Sequence, residues 1–370
     1  MKIAIEASNI GSGGGITHLR EVITFVEPGH FGIDKIEIWA RKAVLSQLPS
    51  KVRLVKKHHN LVEKGIFGRL IWQIFFFPSL AKNYDVLFLP AGNPVTHKCA
   101  ISMSQNLLPF EPLESKRYGF SLMRLRLMLV KWSQKRSFKH SKGVIMLSEY
   151  ARKSVCEESS LPIEKTAVIN HGVHPKFNRP VERDYSRVDT VSYVSTIDVY
   201  KHQWKVVEAC FLLWDKGFDF DLNLVGNSYP PSLKKVQKVM QKRPEYVEKI
   251  QILNNVSYEE LPQVYNDSDM FVYASTCETF GLTVLEAMAS GLPIACSNKG
   301  SMKEILSSCG LYFDPLNVAS ISENMASLLG EQELRQALGT AAALRAKKFG
   351  WQKCSEQTFQ FMLNCSKSVE

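Results

Sequence analysis

The chain has 370 residues, 45% hydrophobic and 22% charged, with a formal net charge of +10. That length favours two domains over one, because single cores stop growing well before it. The composition is that of an ordinary globular protein and excludes a low-complexity or repeat architecture, while the positive excess suits an acidic partner such as a nucleotide, a nucleic acid or an anionic lipid.

In chain order, short β-like runs alternate with helical patterns. The first half offers strands KIAIEAS, KIEIWAR, VRLVKKH, DVLFLPA, CAISMSQ, GVIMLS and TAVINHGV, with helices around 15–27, 64–82, 117–140 and 148–159. The second half offers TVSYVST, LNLVGN, IQILNN, MFVYAS, PIACSN and GLYFD, with helices around 203–216, 231–243, 257–266, 282–290, 301–308, 318–330 and 332–348. Near-continuous apolar strands separated by helices predict α/β architecture with parallel sheets covered on both faces. The alternation relaxes at HPKFNRPVERDYSRV, which holds two prolines and no clear periodicity. The expected organisation is a Rossmann-like domain over 1–175, a linker over 176–188 and a second Rossmann-like domain over 189–350. A closing helix over 351–370 is expected to pack back on the first domain. Ligands of such sheets bind beyond the carboxyl ends of the strands, so a site is expected in the cleft between the domains.

Eight cysteines lie singly at 99, 156, 210, 277, 296, 309, 354 and 365. None forms a CxxC pair and no His/Cys cluster has metal-site spacing, so they read as reduced thiols of a cytosolic protein. The opening MKIAIEAS does not read as a signal peptide. The most apolar run, GIFGRLIWQIFFFPSL, is broken by Arg69, Gln73 and Pro78 and falls short of the roughly 20 apolar residues of a membrane span.

Three stretches carry candidate chemistry. In CETFGLTVLEAMASG, after strand MFVYAS, Glu278 falls in a loop and Glu286 about one turn into a helix opened by Gly281–Leu282–Thr283. A helix start presents N–H groups and a positive dipole end to a phosphate, and a carboxylate on each side can accept sugar hydroxyls. Taken singly, each glutamate is better explained as an exposed loop acid or an acid favoured by the helix dipole. SNIGSGGGITHL, after the first strand, is a glycine-rich turn without the GxGxxG pattern. Gly14 and Gly15 there let backbone approach a ligand, and His18 falls in the following helix, as a cleft residue or a packed one. YVSTIDVYKHQWKVVEA brings a strand to its end near Thr196 and places Lys201 just before the next helix, where it can meet a diphosphate or simply be solvated.

Together these stretches resemble retaining glycosyltransferases of the GT-B fold, glycosyltransferase family 4 in particular. The resemblance is carried by ETFGLTVLEAMASGLPIACSNKG with its E-x7-E pair, by EELPQVYNDSDMFVYAS before it and GLYFDPLN after it, and by INHGVHPKF and LSEYARKSV. It implies that Glu278 contacts the transferred sugar and Glu286 the nucleoside ribose. The backbone at Phe280, Gly281 and Leu282, with Thr283, would face the phosphates. Lys201 is then the diphosphate lysine, Gly14 and Gly15 form the glycine loop of the first domain, and Asn255 and Val256 lie where the nucleobase rests. Two departures stand out: Ser195–Thr196 replaces the usual Gly-Arg, and SQNLLPF replaces a histidine-bearing acceptor segment, so Gln105 or Asn106, with His18, would face the acceptor.

The resemblance implies transfer of a sugar with retention, from a GDP- or UDP-sugar to a saccharide or lipid-linked acceptor, in bacterial surface polysaccharide or lipopolysaccharide synthesis. GDP-mannose is one candidate donor. It implies no metal, no other cofactor and no nucleic-acid partner. Competing readings are a catalytically inactive GT-B binding subunit and a GT-B sugar-nucleotide epimerase; a nicotinamide dehydrogenase lacks its fingerprint here. Finally, SKRYGFSLMRLRLMLVKWSQKRSFKH, residues 115–140, spaces Tyr118, Leu122, Leu125, Leu129 and Trp132 as an apolar stripe and Arg117, Arg124, Lys131 and Lys135 along another face. The stripe is expected to pack inward, leaving the basic face to hold the protein peripherally on an anionic membrane, at the inner face of the cytoplasmic membrane.

Overall fold

A computed structural model describes residues 1–11, 13–178 and 183–367. The expected linker therefore falls partly outside the described residues, at 179–182, as do the last three positions of the closing helix, 368–370. The chain forms two compact units: Met1–Pro112, Phe120–Gly172 and Gly350–Glu370 in the first, Leu113–Gly119 and Val173–Phe349 in the second.

The first unit is built on seven strands: β1 (Lys2–Glu6), β2 (Lys35–Trp39), β3 (Leu54–Lys57), β4 (Val86–Leu89), β5 (Ala100–Met103), β6 (Gly143–Met146) and β7 (Thr166–Val168). Their order is β3-β2-β1-β4-β5-β6-β7, with every pairing parallel. The central strands are buried along their length, as a sheet covered on both faces requires. On one face Trp72, Phe77 and Ala81 pack over Ala4, Leu87 and Leu89. The closing helix Trp351–Lys367 packs on the helix Gly14–Phe25 and on β6.

The second unit carries β8 (Thr190–Val194), β9 (Asp221–Val225), β10 (Ile250–Leu253), β11 (Met270–Tyr273), β12 (Ile294–Ser297) and β13 (Leu311–Phe313), in the order β10-β9-β8-β11-β12-β13 and again parallel throughout. Each unit thus reverses its strand order once, between β1 and β4 in the first and between β8 and β11 in the second. Loops leaving those strands diverge there and open a crevice.

Three expectations are corrected. Residues 113–119 lie with the second unit, because Tyr118 packs against the Tyr229 ring and donates to Asp198 at 2.7 Å. The helix expected from 117 starts only at Leu122, after Gly119 adopts φ +58° and Ser121 accepts the Arg124 N–H as its cap. Nor does that helix bury its apolar stripe. Its inward face is Leu127, Gln134, Ser137 and Phe138, held by Phe110 stacking and by the Ser137 hydroxyl on Ser102 at 2.7 Å. Leu122, Leu125, Leu129 and Trp132 point outward, Leu122 being 86% exposed and Trp132 65%. The neighbouring run is exposed as well, at Ile66, Phe67, Ile71, Ile74 and Phe75. No helix among the described residues is long and apolar enough to cross a membrane.

Candidate active site

In the second unit, the loops leaving β8 and β11 flank the point of strand reversal, and each delivers one ionic side chain. They are stitched together by main chain: Thr276 N–H donates to the Tyr200 carbonyl at 2.9 Å, and the His202 ring meets the Thr276 hydroxyl at 3.1 Å. Across this seam Lys201 is bonded to the Glu278 carboxylate. The pair does not stand alone. Lys201 Nζ donates to the Tyr273 hydroxyl at 2.7 Å, Tyr273 donates to Glu278 Oε1 at 2.8 Å, and Ser275 Oγ donates to the same oxygen at 2.6 Å. Both side chains are largely shielded, 8% exposed for Lys201 and 14% for Glu278. Burial first, and the Glu278 charge second, push the Tyr273 phenol well above its ordinary range, so it stays a neutral donor.

The helix Leu282–Ala289 begins directly after this cluster. Gly281 caps it at φ +98°, a left-handed conformation, and a Cβ there would meet Met302 Cε at 2.5 Å. Ser301 Oγ fixes the approach by donating to the Phe280 carbonyl at 2.8 Å. The first turn holds no acid, and by helix geometry the N–H groups of Leu282 and Thr283 have no partner within it. Thr283 Oγ1 is buried close to the Tyr273 hydroxyl. Such an end accepts an anion.

Glu286, on the same helix, is only 2% exposed and receives the Tyr265 hydroxyl at 2.9 Å. Desolvation pushes its carboxyl up to about 8, against the opposing pull of Tyr265 and the Lys176 charge. Asn255 follows β10 as an exposed residue at φ +60°, with Val256 half-buried beside it. Where a clamp arginine was missing from the sequence, the Thr196 side chain is exposed and its carbonyl takes the Gln203 amide at 3.0 Å. Positive charge reaches this region from elsewhere. His202 is held neutral, at about 3, first by burial and then by Arg117, Lys235 and Lys205. Arg117 comes from the short segment that joins this unit, and nothing in the sequence pattern placed it there.

The first unit has its own crevice at the β1/β4 reversal, a cavity of about 530 Å³ that brings together Gly15, Gln105 and Asn106. A Cβ at Gly15 would stand 3.1 Å from Gln105 Oε1, so the amide would have to shift slightly to admit one. Gly14 is exposed at the helix start but does not line the cavity. His18 does not line it either: it is fully buried, stacked on His171 with ring centroids 5.0 Å apart, and meets the cavity residue Gln105 at 3.5 Å. Burial lowers its imidazole to about 3. The sequence reading missed Asn9, Arg69 and Arg126 on the cavity wall; they come from three separate segments with no shared motif.

Among the described residues no group of three His, Cys, Asp or Glu side chains is arranged to hold a metal ion.

Residues 176–345 match the family described as Glycosyl transferases group 1. A segment of the chain is 38% identical over 109 residues to the O-antigen chain mannosyltransferase B of Escherichia coli, covering 30% of this chain and 29% of that protein. Matches to four further curated relatives span 19%, 39%, 58% and 41% of their lengths, each below two thirds. Among solved structures, a glycosyltransferase from Rickettsia africae superposes with a TM-score of 0.73 at 18% identity, covering 98% of each chain. Anabaena HepE in complex with UDP and glucose superposes at 0.72 and 16%, covering 97% of this chain and 98% of that one. Residues 176–345 thus match the group 1 glycosyl transferases, and the chain as a whole has the GT-B fold.

Proposed function

We propose that the protein transfers a sugar from a nucleoside-diphosphate donor to a saccharide or lipid-linked acceptor with retention of anomeric configuration. The observation that carries this is the buried cluster of Lys201, Glu278 and Tyr273 directly ahead of an unpartnered helix start. A diphosphate at that helix start takes Lys201 as its counter-charge, and Arg117, Lys205 and Lys235, whose charges reach the neighbouring His202, add positive field, although Glu114 and Glu208 pair with the first two. As the glycosidic C–O bond breaks, the leaving diphosphate gains charge that Lys201 and the N–H groups stabilise. Glu278, released from Lys201 but still held by Ser275 and Tyr273, orients the sugar hydroxyls. Glu286, close to neutral, receives the ribose. The acceptor hydroxyl attacks on the face from which the diphosphate departs and passes its proton to the departing diphosphate oxygen, so retention needs no covalent enzyme intermediate. The protein's own cations supply the field that a metal supplies elsewhere, and activity is expected to persist in chelator.

The similarity to an O-antigen mannosyltransferase supports surface polysaccharide synthesis as the setting and GDP-mannose as the first donor to try. The outward stripe of Leu122, Leu125 and Trp132, with Arg124 and Lys135 on the same helix, supports peripheral attachment to an anionic cytoplasmic membrane face. A thermal-shift panel of GDP- and UDP-sugars tests the donor, since a ligand that binds the native state raises its melting temperature. Proton NMR of the product's anomeric centre then tests retention. An inverted product overturns the mechanism, and no shift with any sugar nucleotide overturns the reading.

A further inference from the structure

The cavity of the first unit combines three surfaces that one kind of molecule would satisfy together. Its floor is amide: Asn9 Nδ2 donates to Asn93 Oδ1 at 2.6 Å, and Gln134, 5% exposed, keeps its Oε1 buried without a partner. Such groups match sugar hydroxyls. Its wall is cationic. Arg69 and Arg126 both line it, and Arg41 stands behind them on the Ile10 carbonyl at 2.9 Å, with its Nε buried and unpartnered. Among the described residues the Arg69 guanidinium donates to the Asn9 side-chain Oδ1 at 3.1 Å. None of the ion pairs among the described residues includes any of the three. The acid that does act on Arg69, Glu6, is fully buried and occupied by Trp72 and Asn93. Desolvation, then Arg41 and Arg126, make Arg69 a poorer base than an ordinary arginine, as expected of like charges gathered without a counter-ion. An anion between them relieves that repulsion and gains charge-assisted hydrogen bonds.

The third surface is apolar. Ile66, Leu70 and Leu129 line the same cavity while remaining 56%, 43% and 60% exposed, so its mouth opens directly onto uncovered hydrocarbon. Exposed apolar surface continuous with a pocket marks a binding site more often than a solvated wall.

We infer that this cavity holds an acceptor whose saccharide is joined through a phosphate or diphosphate to a long hydrocarbon chain. The amide floor takes the sugar, Arg69 and Arg126 take the phosphate oxygens, and Ile66, Leu70 and Leu129 cover the first part of the chain. This rests on the transferase reading and narrows its acceptor to one chemical class.

Calorimetric titration with farnesyl diphosphate, inorganic diphosphate and farnesol tests it. The wild-type protein binds farnesyl diphosphate at least about tenfold more tightly than either fragment, since only the joined molecule engages both walls. Changing Arg69→Gln together with Arg126→Gln removes that advantage, whereas Lys201→Ala, which would report diphosphate bound at the other unit, leaves it in place. Ile66→Gln with Leu129→Gln, at exposed positions that do not threaten folding, weakens farnesyl diphosphate about tenfold and leaves inorganic diphosphate unchanged. Equal affinity for inorganic and farnesyl diphosphate, or a loss that follows Lys201 instead of the arginines, overturns the inference. Absent farnesyl diphosphate binding in a protein that turns over a sugar nucleotide overturns this inference alone. A protein that turns over no sugar nucleotide removes the reading beneath it.

Discussion

Lys201 and Glu278, seventy-seven positions apart, are bonded to each other within one unit, and the Tyr273 hydroxyl touches both. Their meeting follows from topology: one lies on the loop after β8, the other on the loop after β11, and these two strands are neighbours at the strand reversal. The pair holds the cation and the carboxylate in place before any donor arrives. A bound diphosphate would draw Lys201 off Glu278 while Ser275 and Tyr273 keep the carboxylate positioned.

Lys201→Ala is therefore expected to weaken a nucleoside diphosphate by at least about tenfold and the bare nucleoside by much less, the loss of one charge-assisted contact. It also leaves Glu278 shielded and without its cation, at a cost of about 1–3 kcal/mol. Adding Glu278→Gln to Lys201→Met should recover part of that stability without recovering binding. Titration calorimetry and chemical denaturation check both halves. Equal losses for nucleoside and diphosphate would mean that the lysine acts on the base or on the fold.

Glu286 gives the protein a pH signature. Its native carboxyl titrates at about 8, far above an unfolded glutamate, so between the ordinary carboxylate range and pH 8 the native state holds a proton that the unfolded state has lost. Stability contributed by this group therefore falls as pH rises through that window. Glu286→Gln, which mimics the protonated form, should match wild type near pH 5 and melt higher near pH 8, by ~2–4 °C for each kcal/mol regained. A gap that is constant with pH would show that Glu286 is ionised in the native protein.

At Gly281, Ala would have to adopt φ +98° with its Cβ against Met302. The expected cost of Gly281→Ala is about 1–3 kcal/mol, most of it backbone strain. Adding Met302→Ala removes the clash but not the strain, so denaturation of the double variant should recover only a minor share. Full recovery would mean that packing alone requires glycine.

Much of this was legible in the sequence. Apolar strands alternating with helices give the parallel sheets directly, and the E-x7-E spacing around Gly281 puts one acid in the loop and one in the helix. What could not be read is which long-range partners close around them. Tyr273 and Ser275 look like strand-end residues until the β8 loop brings Lys201 over them. Tyr265, which holds Glu286, sits in a helix that the pattern places at 257–266, but nothing in that pattern pairs it with Glu286. Arg69 and Arg126 are scattered in apolar segments. The stripe at 122, 125, 129 and 132 satisfies helical periodicity as well as the true inward face at 127, 134 and 138, and periodicity alone does not say which face meets the sheet.

That outward stripe predicts membrane binding by insertion as well as by charge. Sedimentation with anionic vesicles should recover the wild-type protein at low salt. Changing Leu125→Gln together with Trp132→Gln should reduce recovery more than changing Arg124→Gln together with Lys135→Gln, because each basic residue contributes only about 1 kcal/mol at such a surface. Undiminished binding by both variants would place the contact elsewhere.

The measurement that bears most directly on sugar transfer is release of nucleoside diphosphate from a panel of GDP- and UDP-sugars, in chelator, comparing wild type with Glu278→Ala and Glu286→Ala. Wild type should release the diphosphate from one donor, and each variant should be at least about a hundredfold slower while keeping its fold, as expected for loss of a preorganised contact to the reacting group. Near-wild-type turnover in both variants, or turnover that appears only when a divalent metal is restored, would contradict the site proposed for Lys201, Glu278 and Glu286.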